Sequence, residues 1–387
     1  MVGASSTSRV ASAVAARRAP ADQGDPHEPR KEAVGRRGDA RPVVRRAHAR
    51  RRVRLDEPAD EAPDLGRRQG RRDRFVRGDQ AERRRQGRPR GRRRRAHLRR
   101  RLLRPVITPR GEPGPAFGLG LRREHFDALL ARPARADFIE VVCDNFMRFG
   151  GRPREVLDHV SARHPIVLHG VALSIGSLDP LDARYLDDVA RLAERTRARW
   201  WSDHLCLSST RGVEHHELLP LPFTDEAIDH VATRAREARA RVGLPFALEN
   251  PSAYVQWDTR AMDEATFVGR TLEAADCALL LDVNNVFVNA TNHGFSAEAY
   301  IASLPLERVI QLHMAGHDAR GKVLIDTHGE PVCDEVLDLY RFTLTAMRER
   351  GLAPPPTLLE WDHTIPPLER VEAEVDRLRA AAAGIWP

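Results

Sequence analysis

The sequence predicts a (β/α)8 barrel of the TIM type, preceded by an N-terminal extension that lacks the pattern of a folded domain. Two observations predict the barrel. After Pro113, eight short β-branched or aliphatic runs alternate with longer amphipathic segments, and the roughly 270 residues they occupy suit eight strand-and-helix units. A third observation sets the extension apart: residues 1–104 carry 33 Lys and Arg against 13 Asp and Glu, so the remaining residues carry −12 within a whole-chain charge of +8.

The extension, residues 1–104, consists mainly of Arg, Pro, Gly, Ala and Asp and has no apolar periodicity. Such a segment cannot bury a core, so we expect it to be disordered and the folded domain to span residues 105–387. Translation of GC-rich DNA outside a gene gives a similar composition. One hypothesis is therefore that the extension is not part of the native protein, and a peptide from before residue 100 in the natively expressed protein would refute it.

Eight segments are expected to form the barrel strands: 116–121, 137–143, 165–169, 200–205, 245–249, 278–283, 309–313 and 357–361. Helices are expected between them, among others at 183–197, 225–242, 263–274 and 334–350. An open, doubly wound sheet is the alternative architecture. It would bring a glycine-rich phosphate turn after an early strand, whereas Gly118-Leu119-Gly120 lies within the first expected strand.

Several classes of protein are excluded by composition. No uninterrupted apolar run approaches the ~18 residues that a membrane-spanning helix needs. The four cysteines, Cys143, Cys206, Cys277 and Cys333, lie far apart without a CxxC pair, so neither a disulfide scaffold nor a thiolate zinc site is indicated. The apolar stretch near the N-terminus is too weak for a secretory signal. We therefore expect a cytoplasmic protein with reduced cysteines.

Polar side chains stand at the ends of six consecutive expected strands. These strands end in His169, in Asp203-His204, in Glu249-Asn250, in Asp282 followed by Asn284-Asn285, in His313 followed by His317 and Asp326-Thr327-His328, and in Glu360-Trp361-Asp362. In a barrel of this type the C-terminal strand ends meet at one mouth, where catalytic residues lie. Burying so many polar and charged groups without a compensating cation is unfavourable, so the pattern predicts a metal site.

The kinds of side chain narrow the choice of metal. Imidazoles, carboxylates and an amide without a thiolate suit iron, manganese or zinc better than copper(I) or an iron–sulfur cluster. A single ion of this kind takes about four to six ligands, fewer than the strand ends offer. More than one ion is expected, and a carboxylate such as Glu249 could bridge two of them.

Seven ordered motifs then resemble a known family. They are Leu168-His169-Gly170-Val171-Ala172-Leu173-Ser174-Ile175-Gly176, Leu248-Glu249-Asn250-Pro251-Ser252, Leu281-Asp282-Val283-Asn284-Asn285-Val286, Asn292-His293-Gly294-Phe295, Ala315-Gly316-His317, Asp326-Thr327-His328 and Glu360-Trp361-Asp362. Together they resemble the multinuclear non-haem iron-dependent oxidases, long catalogued as domain of unknown function 692, which include the methanobactin biosynthesis oxidase. The resemblance covers about residues 117–378 and leaves the extension without a counterpart.

The resemblance implies a TIM barrel with two or three irons that uses dioxygen as co-substrate to oxidise cysteines in a ribosomally made precursor peptide. It places the iron ligands at nine positions: His169, His204, Glu249, Asp282, Asn285, His313, Asp326, His328 and Glu360. Asp203 stands where the family usually has Glu, and it is not included among the ligands. The resemblance also implies a separate partner protein that recognises the precursor peptide.

Two other functions remain open at this point. The first is a divalent-metal TIM-barrel enzyme of the sugar isomerase or endonuclease type. An isomerase normally needs a catalytic lysine, but the acidic part contains only Lys322, and an endonuclease needs a basic rim. The second is a nucleic-acid-binding adaptor acting through the Arg-rich extension. Phe75 is the only aromatic residue of that extension, so stacking platforms for bases are lacking and nucleic acid is not the expected partner.

Overall fold

The computed structural model describes residues 114–148 and 150–386, and within them all eight expected barrel strands are present. In chain order the strands are β1 (Phe117–Gly120), β2 (Phe138–Val142), β3 (Ile166–Gly170), β4 (Trp201–His204), β5 (Leu207–Thr210), β6 (Val213–Leu219), β7 (Phe246–Glu249), β8 (Ala278–Asp282), β9 (Val309–Met314), β10 (Asp318–Arg320), β11 (Val323–Ile325) and β12 (Thr357–Leu359). The expected extension, residues 1–104, lies outside the described residues.

Eight of these strands form a closed parallel barrel in the order β1-β12-β9-β8-β7-β4-β3-β2. The barrel closes where the first and last strands pair in parallel, with Phe117 opposite Thr357. On its other side β1 pairs with β2, and the Asp137 carboxylate accepts a hydrogen bond from the Phe117 amide at 2.8 Å. The closed parallel sheet confirms the TIM-barrel prediction and excludes the open doubly wound alternative.

Helices cover the outside of the barrel. They are α1 (Phe126–Ala131), α2 (Gly151–Ser161), α3 (Ala183–Thr196), α4 (Asp225–Val242), α5 (Glu264–Ala275), α6 (Val283–His293), α7 (Ala297–Ser303), α8 (Asp334–Glu349) and α9 (Leu368–Ala382). The apolar stripe of α3 explains its position: Leu186, Val189 and Ala193 are buried against the barrel, while Arg191 and Glu194 face solvent. The four expected helices agree with the structure to within one residue at either end.

Two hairpins on the mouth side were not among the expected elements. Strands β5 and β6 form an antiparallel hairpin between β4 and α4, and β10 and β11 form a second one after β9. The strands of the first hairpin are mainly polar and those of the second have three residues each, so neither hairpin has the apolar run that marks a strand buried in the barrel. They extend two of the loops that surround the mouth.

The barrel interior is apolar in its lower part. Nine fully buried side chains fill it: Ala116, Phe138, Val167, Trp200, Ala247, Ala278, Leu280, Ile310 and Leu358. Gly118 makes room for the Phe138 ring, because a Cβ at this glycine would lie 2.5 Å from ring atoms. The inward-facing positions nearer the C-terminal strand ends are polar, so the core ends where the mouth begins.

Among the described residues no helix is both long and apolar enough to cross a membrane. The four cysteines are free, and Cys143, Cys206 and Cys277 are buried. Burial raises the pKa of the Cys277 thiol to about 12, so this thiol stays protonated at neutral pH. Three of the four are therefore core cysteines, as predicted, whereas Cys333 is only partly buried.

Candidate metal centre

The C-terminal strand ends bring the nine expected residues to the mouth of the barrel. They lie on seven stretches of chain: His169 on β3, His204 at the end of β4, Glu249 at the end of β7, Asp282 at the end of β8 with Asn285 in the first turn of α6, His313 on β9, Asp326 and His328 after β11, and Glu360 just beyond β12. Seven of the nine, together with Asp362, form three groups whose donor atoms are close enough to hold a metal ion, and Asn285 and Asp326 lie outside these groups.

The first group consists of His169, His204 and Glu249. The Nε2 atoms of the two imidazoles lie 3.3 and 3.4 Å from the same oxygen, Oε2 of Glu249. The other ring nitrogen of His169, Nδ1, is 2.8 Å from the Ser202 hydroxyl. Ser202 therefore fixes the orientation of the His169 ring, and its Nε2 is left to face Glu249.

The second group contains Glu249, Asp282, His313 and Glu360, and all four are buried. Nδ1 of His313 lies 3.3 Å from Oε1 of Glu249 and 3.0 Å from Oε2 of Glu360. The two oxygens of Glu249 thus face different groups. This is the arrangement that a bridging carboxylate requires.

The third group is His328, Glu360 and Asp362. Nδ1 of His328 is 3.3 Å from a carboxylate oxygen of each acid, and its Nε2 is 2.6 Å from Oδ1 of Asp326. The Arg122 guanidinium pairs with Asp362 and donates to the Trp361 carbonyl at 3.1 Å. Asp362 was part of a motif but was not among the nine expected ligands, and the structure places it beside two of them.

Several buried side-chain atoms at the mouth have no hydrogen-bond partner, as expected of atoms that bind a metal ion. Six buried atoms of the expected set have no hydrogen-bond partner: Nδ1 of His204, Oε2 of Glu249, Oδ2 of Asp282, Oδ1 of Asn285, Nδ1 of His313 and Nε2 of His328. Three of them lie within 3.4 Å of another donor atom of the centre without being oriented to bond to it: Oε2 of Glu249 near Nε2 of His169, Nδ1 of His313 near Oε1 of Glu249, and Nε2 of His328 near Oδ1 of Asp326. Lone pairs that converge without hydrogen atoms between them are arranged as metal ligands are, so the residues fit a metal centre.

The excess of acidic groups at the mouth also favours a metal centre there. Six carboxyl groups, those of Glu140, Glu249, Asp282, Asp326, Glu360 and Asp362, surround four imidazoles, and one guanidinium, that of Arg122, accompanies them. Cations at the centre would offset this buried negative charge.

The pKa shifts reflect the imbalance. Burial would raise the pKa of Glu249, but His204, His313 and His169 lower it to about 2. Burial would lower the pKa of His313, but Glu140, Glu360 and Glu249 raise it well above the usual value. Burial raises the pKa of Asp282 well above its usual value, and His328 opposes this only in part. Without a cation, protons would collect at the centre in its place.

Local structure explains why Asp282 stands where it does. It is the N-cap of α6, and its Oδ1 accepts the Asn285 amide at 2.7 Å, which leaves Oδ2 free to face the mouth. Asn250 ties this point to the preceding loop, because its side chain accepts from the Asp282 amide at 2.9 Å and donates to the Asp282 carbonyl at 3.0 Å. In the Glu-Asn motif, Glu249 is therefore an expected metal ligand, and Asn250 positions the end of β8.

Asp326 is held by residues from the loop after β7 and from the first turn of α6. The Ser252 hydroxyl donates to its Oδ2 at 3.0 Å, the Asn284 amide donates to its Oδ1 at 2.8 Å, and its own backbone amide donates to the Tyr254 hydroxyl at 2.8 Å. Nδ1 of His317 lies 2.8 Å from the Asn284 side-chain oxygen. His317 and Asn284, which the motifs singled out, thus position Asp326.

Two acidic residues have roles that the sequence did not indicate. Glu140 lies in the middle of β2, is fully buried, and has its Oε2 3.0 Å from Nε2 of His313. Asp203 is also fully buried, but its Oδ2 accepts from the Tyr185 hydroxyl and from the Leu173 amide, each at 3.3 Å, outside the three groups. The search for ligands at strand ends could not find Glu140, because it is inside a strand.

A cavity of about 560 Å³ opens onto the centre, and His169, His204, Asn285, Asp326, His328 and Glu360 are among its lining residues. A larger cavity of about 680 Å³, beside Glu264 and Tyr300, contains none of the grouped residues. Lys322, the residue on which an isomerase reading would depend, is exposed in the turn between β10 and β11 and does not line the mouth cavity.

Comparison with known proteins identifies relatives along most of the barrel. Residues 116–383 match the family described as RiPP precursor modification enzyme MbnB/TglH/ChrH, where RiPP denotes a ribosomally made, post-translationally modified peptide. A UPF0276 protein of Anaeromyxobacter sp. (strain Fw109-5) is 46% identical over 260 residues, which cover 67% of this chain and 90% of that protein. A UPF0276 protein of Caulobacter vibrioides (strain NA1000 / CB15N) is 44% identical over 276 residues, covering 70% and 96%.

Solved structures give a similarity of fold alone. The D-psicose 3-epimerase of Clostridium cellulolyticum H10 is 12% identical, covers 69% of this chain and 96% of its own, and gives a TM-score of 0.44. No conclusion about activity follows from it.

Proposed function

Because the chain belongs to the RiPP precursor modification enzymes MbnB/TglH/ChrH, we propose that it catalyses the iron- and dioxygen-dependent oxidation of cysteine residues in a ribosomally made precursor peptide. The observation that carries the proposal is the set of buried donor atoms without hydrogen-bond partners among the expected ligands at the mouth. They belong to a donor set of imidazole, carboxylate and amide that suits iron. Two or three irons are proposed, since the donors form three groups.

The proposed ligands are the nine residues His169, His204, Glu249, Asp282, Asn285, His313, Asp326, His328 and Glu360. Glu249 belongs to the first and second groups and Glu360 to the second and third, so each of these carboxylates could contribute to holding two ions. Asp362 would assist by orienting His328 while its own charge is balanced by Arg122. Iron, when bound, supplies one-electron redox chemistry with dioxygen as the oxidant.

The chain itself contributes a site of suitable size and polarity. The mouth cavity, at about 560 Å³, lies within the range of small-ligand pockets and can admit a short peptide segment. Its wall includes the apolar side chains of Val142, Phe146 and Leu218, which would keep water from a cysteine sulfur near the donors. A separate partner protein that delivers the precursor peptide remains part of the proposal.

The proposal is tested by metal analysis and activity together. The chain is purified without oxygen, loaded with ferrous iron and examined by elemental analysis and Mössbauer spectroscopy, with two or three irons per chain expected. Alanine at Glu249, Asp282 or His313 should remove iron and the oxidation of a cysteine-containing precursor peptide together, since each residue supplies a buried donor.

A matched control is Glu264→Gln. Glu264 bonds to the Tyr300 hydroxyl at 3.2 Å in the other cavity, so this variant should keep full iron and activity. Full iron occupancy in the alanine variants would contradict the assignment of ligands. Wild-type protein that binds iron but leaves every cysteine peptide unchanged in the presence of dioxygen would contradict the proposed reaction.

A further inference from the structure

Glu140 is a buried acid that the proposed ligand set does not use. It lies in β2 with 0% of its surface exposed, and its Oε2 is 3.0 Å from Nε2 of His313. The opposite ring nitrogen of His313, Nδ1, faces Glu249 and Glu360 within 3.3 Å. One imidazole therefore connects a carboxylate beneath the centre to the donors of the second group.

We propose that Glu140 is a positioning residue that holds His313 as the Nε2–H tautomer and thereby presents Nδ1 to a metal ion. The inference rests on the proposed function, because it assumes that the second group binds metal. It assigns a role to a residue that is not itself a ligand. Histidines that bind a metal through one nitrogen commonly donate the other N–H to a carboxylate, and this contact orients the ring and strengthens its donor atom.

The neighbours of Glu140 leave no other acceptor for a proton on Nε2 of His313. The Trp200 indole can only donate, and its Nε1 donates to Oε1 of Gln311 at 2.9 Å. This fixes the Gln311 amide with its NH2 group towards Glu140, at 2.7 Å, and towards Nε2 of His313, at 2.9 Å. An amide NH2 cannot accept a hydrogen bond, so a proton on Nε2 of His313 can be accepted only by Oε2 of Glu140, whereas with the proton on Nδ1 the Nε2 atom would accept from Gln311 instead.

The other side of the ring supports the same tautomer. Nδ1 of His313 makes no hydrogen bond, although oxygens of Glu249 and Glu360 lie within 3.3 Å. A proton on Nδ1 could be donated to one of these oxygens, whereas a metal ion bound at Nδ1 needs the lone pair there and so leaves the ring proton on Nε2. His169 shows the converse arrangement: Ser202 contacts its Nδ1, and its Nε2 faces Glu249.

The positive charge of Arg122 favours a carboxylate at position 140. The Arg122 guanidinium lies over Gly120, where a Cβ would be 2.5 Å from Nη1, and Gly120 is the register partner of Glu140. Arg122 thus supplies positive charge beside a buried acid. An uncharged residue at position 140 would remove both the favourable charge interaction and the charged acceptor for His313.

The test uses Zn²⁺ as a diamagnetic probe on the full chain. In Zn²⁺-loaded protein with ¹⁵N-labelled histidine, NMR should show the His313 proton on Nε2 and the metal-induced shift on Nδ1. A proton on Nδ1 would overturn the inference, and this result needs no variant and no activity. Chelator competition should then show Zn²⁺ affinity falling about 10- to 100-fold in Glu140→Met.

Two further variants separate positioning from general stability. Glu140→Gln keeps an acceptor without the charge, so its Zn²⁺ affinity should lie between those of the wild type and Glu140→Met. Glu264→Gln, which changes a carboxyl group outside the mouth, should bind like the wild type. Wild-type affinity in both Glu140 variants would overturn the inference alone, whereas a wild-type chain that binds neither Zn²⁺ nor iron would also overturn the proposed metal centre.

Discussion

At the scale of single residues, the candidate centre depends on which atom of each side chain is free. Oδ1 of Asp282 caps a helix while Oδ2 has no partner, and Nε2 of His313 meets Glu140 while Nδ1 faces the mouth. The sequence could predict which residues approach the mouth, because barrel geometry assigns strand ends to it. It could not predict which atoms are occupied, because those contacts come from other strands and loops.

Some glycines near the mouth are required by close approach of the backbone, and Gly316 gives a testable case. A Cβ there would lie 2.0 Å from the Glu330 carbonyl oxygen, which cannot move without its chain segment. Gly316→Ala should therefore lower the free energy of unfolding by about 1–3 kcal/mol, the usual cost of forcing atoms into a packed site. It should also displace the loop that carries His317.

The matched substitution is Gly269→Ala, within α5. The nearest atom to a Cβ at this glycine is 3.6 Å away, which is ordinary contact, and alanine favours a helix interior over glycine by about 1 kcal/mol. This variant should be slightly more stable than the wild type. Urea denaturation of both variants measures the difference, and equal stabilities would show that the Gly316 backbone has room to shift.

At the scale of elements, the eight barrel strands and the long helices could be predicted from apolar pattern, and the mouth hairpins could not. The expected strands agree because their apolar runs are buried on both faces. Strand β6, with the sequence VEHHELL, carries four charged or polar residues and is mostly exposed, so neither pattern nor burial marks it. Glu140 was missed for a related reason, since a single acid within an apolar strand does not alter its pattern.

Helix caps allow a prediction at this scale. Asp263 caps α5: its side chain accepts from the Thr266 amide at 2.8 Å and from the Thr266 hydroxyl at 2.9 Å. Asp263→Ala should lower the free energy of unfolding by about 1 kcal/mol at pH 7. These contacts also hold the pKa of Asp263 below its usual value of 3.8, because the Thr266 amide favours the charged form.

The pH dependence of this cap follows from the direction of the shift. A lowered pKa in the folded state stabilises the fold above pH 3.8, and that contribution is lost as the pH falls through the folded-state pKa. The stability difference between wild type and Asp263→Ala should therefore be constant near neutrality and narrow in acid. Asp263→Asn, which keeps an acceptor, should lose less stability, and a gap that widens in acid would contradict the assignment.

At the scale of the whole molecule, the seven motifs identified the family, and the family match over residues 116–383 confirms that identification. The motifs succeed because each joins a mouth residue to the backbone that positions it, as in Glu249-Asn250 or Asp282 with α6. The net charge of the chain gives no information about the mouth, because the positive charge comes from the extension and the barrel part is net negative. The extension remains a sequence prediction outside the described residues.

A truncation tests that prediction. A chain of residues 105–387 should keep the thermal unfolding midpoint and the metal content of the full chain, because the barrel closes through β1 and β12, both within it. Calorimetry and elemental analysis of the two chains measure this. A salt-dependent mobility shift on RNA that disappears with the truncation would instead favour the nucleic-acid adaptor, and a lower midpoint would show that the extension contributes to folding.

The double use of Asp282 links events at the mouth to distant backbone. A cation held at Oδ2 would restrain the carboxylate whose other oxygen caps α6. Near the end of that helix, the Asn292 side chain donates to the Leu324 carbonyl and accepts from the Leu324 amide, each at 2.9 Å, and so binds β11. Leu324 lies two residues before Asp326. Binding of a metal ion should therefore slow deuterium uptake at the Asn285 and Leu324 amides together. Helix α6 would then couple metal binding at Asp282 to the order of the β11 segment beside the mouth.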